Sequence, residues 1–86
     1  MPPSFVREPQ FDKFIEELAG SYPRLHEADL AIEWLLSRDA ERFPEIEQDY
    51  FAWKFEDIVP GIPPIEILYR YDREKNIVYL KRAWIS

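Results

Sequence analysis

Ile65-Glu66-Ile67-Leu68-Tyr69-Arg70-Tyr71 and Ile77-Val78-Tyr79-Leu80-Lys81-Arg82-Ala83-Trp84-Ile85, joined by the five polar residues Asp72-Arg73-Glu74-Lys75-Asn76, decide the fold. Both runs are rich in β-branched and aromatic residues, and the short polar link between them is a hairpin signal. Side chains alternate along a strand, so Ile65, Ile67, Tyr69 and Tyr71 share one face and Glu66, Leu68 and Arg70 the other. The first set reads as the core face. The second run is ambiguous, because Val78, Leu80, Arg82 and Trp84 oppose Ile77, Tyr79, Lys81 and Ala83, and neither set is cleanly apolar.

Working back from the hairpin, Asp57-Ile58-Val59-Pro60-Gly61-Ile62-Pro63-Pro64 excludes helix and central strand, because proline fixes φ and lacks a donor. Before it, Tyr50-Phe51-Ala52-Trp53-Lys54-Phe55 alternates Phe51, Trp53 and Phe55 onto one face of a strand. Arg38 to Asp49 is charged and broken by Pro44, and reads as a loop with one extra turn. A helix is expected from about Leu25 to Ser37, with Leu25, Ala28, Ile32 and Leu35 inward and Leu30, Ala31, Trp34 and Leu36 widening the apolar stripe. Another is expected to start at Pro9, carry Phe11, Phe14, Ile15 and Leu18 on one stripe, and end at Gly20 as a C′ glycine. Phe5-Val6-Arg7 is a short lead-in or edge strand. The element order is a short strand, two helices and a three-stranded antiparallel meander, an α+β arrangement in one domain spanning residues 1–86.

Composition narrows the chemistry. The 86 residues include no Cys, so disulfides and cysteine-type zinc sites are excluded. His26 is the only histidine and no metal or other cofactor is expected. Ser4, Ser21, Ser37 and Ser86 lack the neighbours that activate a nucleophile. Only Gly20 and Gly61 are present, which rules out glycine-rich phosphate loops. No apolar run reaches the roughly 20 residues that span a bilayer. Met1 to Arg7 has neither the basic nor the apolar part of a signal peptide, so a cytoplasmic protein without membrane contact is expected.

The net charge of −6 disfavours broad affinity for phosphate backbones, but the charge is uneven. Residues 1–63 carry 14 acids and 6 bases; residues 64–86 carry 3 acids and 5 bases. Arg70, Lys81 and Arg82, with Tyr69, Tyr79 and Trp84, compose a small basic-aromatic surface suited to RNA or an acidic peptide. Trp34 on the over-wide helix is a further partner-binding candidate, for a second protein or a second copy of this chain.

Ile65 to Asp72 followed by Asn76-Ile77-Val78-Tyr79-Leu80 resembles the penultimate strand, turn and last strand of the RelE/ParE superfamily of bacterial toxin–antitoxin toxins. Phe11-Asp12-Lys13-Phe14-Ile15-Glu16-Glu17-Leu18, after Arg7-Glu8-Pro9, resembles that family's first helix. The resemblance implies a short strand, two helices and a curved sheet with a concave face. It implies a partner antitoxin, and as target either mRNA in the ribosome or DNA gyrase. Tyr69 stands where such toxins often place a tyrosine. RNA-cleaving members carry an arginine where this chain has Glu66, and further catalytic residues beyond the last strand, where this sequence ends at Ser86. A carboxylate there repels the charged transition state of RNA cleavage. A toxin or toxin-like component acting by binding is therefore expected; the alternatives are a ribosome-dependent mRNA interferase using Arg70, Lys81 and Arg82, and a non-toxic protein-interaction module with the same fold. The partner-binding set is Trp34, Tyr69, Arg70, Arg82 and Trp84.

Overall fold

The computed structural model describes residues 1–86. Its elements run β1 (Ser4–Arg7), α1 (Pro9–Ala19), α2 (Leu25–Arg38), β2 (Glu45–Glu47), β3 (Tyr50–Phe55), β4 (Ile65–Asp72) and β5 (Ile77–Ile85). The meander β3–β4–β5 is antiparallel, as the alternation demands. Two strands extend it. β1 pairs with β5 in parallel and β2 pairs with β3, giving one five-stranded mixed sheet in the order β1-β5-β4-β3-β2. The fold class is α+β as predicted, but the sheet is larger than a three-stranded meander.

β2 lies in the segment the sequence marks as a loop. Its three residues are exposed, and it is short enough that pairing at the sheet edge, not burial, defines it. A two-residue turn, Gln48-Asp49, closes the β2–β3 hairpin, with Asp49 at φ 68°, where Asp is tolerated better than most residues. Asp49 N–H donates to Glu45 Oε2 at 2.7 Å and its carbonyl accepts from Tyr71 N–H at 2.9 Å.

Both helices lie on one face of the sheet. Phe11, Leu18, Leu25, Ala28, Ile32 and Leu36 meet Phe51, Trp53, Phe55, Ile65, Ile67, Tyr69, Val78 and Leu80 in one core cluster. Aromatic stacking organises its far end: Phe43 lies on Trp53 with centroids 4.2 Å apart, and Phe51 lies on Tyr69 at 5.1 Å. Leu36, rather than Leu35, is the fully buried residue of the last turn of α2. Gly20 follows α1 in right-handed helical geometry (φ −64°), so the helix ends without the left-handed glycine cap the sequence suggests. Ser21 and Tyr22 N–H groups close the turn onto the Leu18 carbonyl.

Arg7 locks β1 to both helices. Its guanidinium reaches Asp12 of α1 at 2.6 Å, and Asp29 and Glu33 of α2 at 2.9 and 2.7 Å. Burial works to lower the Arg7 pKa, and the hydrogen bonds to Asp12, Glu33 and Asp29 more than reverse it, so the group is held charged. Removing one partner of a half-buried network leaves the others uncompensated. Arg7→Ala is expected to cost about 1–3 kcal/mol, less than a fully buried network because water still reaches it. For α1, Phe11 is wholly buried and Phe14 only half-buried. Phe11→Ala should cost about 3–5 kcal/mol and Phe14→Ala clearly less, read from urea unfolding midpoints.

Candidate binding surface on the open sheet face

No helix covers the second face of the sheet. Register places its side chains in rows across the strands. Val6, Tyr79, Arg70 and Tyr50 form one row; Arg82, Leu68 and Ala52 the next; Trp84, Glu66 and Lys54 the third. The Arg70 guanidinium lies over the Tyr79 ring, 5.3 Å from its centroid, which orients both groups without a salt bridge. Trp84 is 46% exposed although it sits within a strand. Lys54, Arg70 and Arg82 thus share a face with three aromatic rings, set against the carboxylates of Glu66 and Asp72.

A bulge creates this arrangement. Tyr69 pairs with Leu80 and Leu68 with Arg82, so Lys81 is the extra residue in β5. Before the bulge Val78 and Leu80 face the core; after it Ala83 pairs with Ile67 and turns inward, while Arg82 and Trp84 turn outward. The last strand changes parity midway, and neither alternating set of the sequence pattern is its core face.

The predicted site residues separate accordingly. Arg70, Arg82 and Trp84 come together on the open face. Arg82 also borders a shallow cleft of about 350 Å³ with Gln10, Lys13, Phe14, Glu17 and Ala83. Lys81 does not join them: its Nζ donates to Glu8 Oε2 at 2.8 Å, tying the bulge to the entry of α1. Trp34 lies on α2, in the opposite layer, 58% exposed. Tyr50 and Lys54, which carry no pattern beyond the outward half of a strand, complete the surface and are absent from the sequence-derived set. His26 is exposed at the start of α2, and no three acidic or histidine side chains converge as metal ligands.

Tyr69 requires a correction. It is wholly buried, and its hydroxyl donates to the Ala40 carbonyl at 2.8 Å, so it is a core residue and not part of a partner-binding surface. The reason is parity, since Tyr69 shares a face with Ile65 and Ile67. Burial, aided by the charges of Asp39 and Glu41, pushes the phenol well above its ordinary value. A raised folded-state pKa means that this contribution to stability is fully present below pH about 10 and is lost as pH climbs through the folded value. Tyr69→Phe should cost about 1–3 kcal/mol by leaving the Ala40 carbonyl unpaired. Urea melts at about pH 8 and about pH 11 should also show a smaller alkaline loss in the variant than in the parent.

The overall shape has a known counterpart. A chain of the toxin–antitoxin complex RelBE2 from Mycobacterium tuberculosis superposes with a TM-score of 0.74 over 100% of both chains at 19% sequence identity. The protein therefore shares the fold of a chain of that complex, the fold that the resemblance of its hairpin and first helix implies. No model of a known protein family matches the sequence, and no curated protein matches it. No helix is long and apolar enough to cross a membrane.

Proposed function

We propose that this chain is the toxin-like component of a bacterial toxin–antitoxin module, acting by binding a macromolecular target across the open sheet face. One observation carries the reading: three strands bring Tyr50, Tyr79 and Trp84 onto the same uncovered surface as Lys54, Arg70 and Arg82. Rings and cations interleaved on an exposed sheet suit single-stranded RNA or an acidic peptide, because bases stack on the rings and phosphates or carboxylates meet the cations. The RelE-like fold supports the module assignment, and the complex that contains the superposing chain supports an antitoxin-like protein as the silencing partner.

Binding is favoured over RNA cleavage by the positions of three groups. The Tyr69 hydroxyl is engaged in the core, Lys81 is engaged with Glu8, and Glu66 occupies the open face between Trp84 and Lys54. A cleavage site must stabilise added negative charge, and a carboxylate there opposes it. The target is accordingly held rather than cut.

Induced expression of the chain in a bacterial host should arrest growth, and Arg70→Ala with Arg82→Ala should relieve the arrest while leaving the melting curve unchanged. Normal growth under full expression of the folded protein overturns the toxin reading. In a ribosomal translation mixture the message should remain intact; codon-specific cuts that vanish in the same double variant would establish an mRNA interferase instead. Against a captured target, Tyr79→Ala should weaken affinity by about tenfold or more, the worth of one stacked base.

A further inference from the structure

The outer face of α2 carries an exposed apolar pair. Leu30 and Trp34 are 59% and 58% exposed, one helical turn apart. The inward residues Leu25, Ala28, Ile32 and Leu36 lie about 180° around the helix from them at 100° per residue, so the pair points straight away from the sheet. The Arg38 guanidinium lies over the Trp34 ring at 4.9 Å, and Ser37 Oγ donates to the Trp34 carbonyl at 2.6 Å. An exposed tryptophan beside an arginine has the composition of an interface anchor.

The charges flanking this pair bear on what covers it. Glu27, which pairs with Arg24 of its own chain at 2.8 Å, stands one turn before Leu30, and Arg38 stands one turn after Trp34, so along the helix the face runs acid, apolar, apolar, base and a partner must share Glu27 with Arg24. We infer that α2 pairs antiparallel with α2 of a second copy of this chain about a two-fold axis near Ile32, each Leu30 packing on the other copy's Trp34 and each Glu27 meeting the other's Arg38.

The sequence numbers satisfy this symmetry. An isologous contact requires residue i to meet j while j meets i. Positions 30 and 34 centre on 32, and positions 27 and 38 centre within half a residue of the same point. Four attractive elements therefore align in one register. Antiparallel helices also set opposite dipole ends side by side. A partner carrying unrelated charges would not gain from both ends at once. The resulting dimer places the helices at its centre and both open sheet faces outward, so the inference is independent of the sheet-face reading.

Sedimentation equilibrium from about 1 μM to about 1 mM tests it. The apparent mass should rise with concentration from 10.4 kDa towards twice that value. Leu30→Ser and Trp34→Ser should each raise the dissociation constant by about tenfold or more, with unchanged circular dichroism because both side chains are exposed. Glu27→Arg alone and Arg38→Glu alone should each weaken the dimer, and the two together should restore it. A mass of 10.4 kDa throughout, a dimer indifferent to Trp34→Ser, or a double charge reversal that fails to recover association would each overturn the proposal.

Discussion

The extra residue in β5 governs which side chains this protein presents. Without a bulge, the alternation that buries Val78 and Leu80 would carry Arg82 and Trp84 into the core beneath α1, where neither finds a partner. With Lys81 inserted, the strand keeps its apolar face inward on both sides of the irregularity. The bulge is stabilised where it arises, since Lys81 is anchored by Glu8 immediately before α1. The same residue that sets the parity of the last strand thus also helps position the first helix. Bulges commonly re-aim side chains next to functional surfaces, and here two of the exposed groups of the open face depend on one.

The parts of this architecture that were legible in the sequence are those governed by local periodicity. α1, α2 and β3 follow from 3.6- and 2-residue repeats, and β4 shows its core face directly. The parallel β1–β5 pairing was not legible, because parallel partners distant in sequence leave no turn signal between them. β2 escaped because its charges look like a loop; its position is stabilised by Arg73, which reaches Glu41, Glu45 and Asp49 from the β4–β5 turn. The open face was half legible. Arg70, Arg82 and Trp84 were found by residue type, whereas separating them from Lys81 and Tyr69 required the bulge and the β4 parity. Tyr50 and Lys54 could not be chosen before the β3–β4 register was known.

Charge is distributed by the same logic. Arg7 and Arg73 each sit among three carboxylates, so two of the basic residues are consumed in stabilising the chain's own architecture. The half-buried knot around Arg7 contributes more than the exposed one around Arg73, where water competes for every partner. Arg70 and Arg82 pair with no carboxylate and lie on the open face. A protein with an overall net charge of −6 therefore still offers a locally cationic surface, flanked by acidic helices that discourage indiscriminate binding to polyanions.

The parallel pairing of β1 with β5 joins Ser4–Arg7 to Ile77–Leu80, nearly the full span of the chain. Contacts of such sequence separation form late and slowly, because loop-closure entropy must be met before the pairing returns anything. During synthesis the first strand emerges long before its partner exists. The Arg7 cluster can form once α2 has emerged, whereas the sheet is not closed at this edge until Ile77–Leu80 are available. The edge that β1 forms on β5 is therefore absent from a nascent chain until β5 has been made.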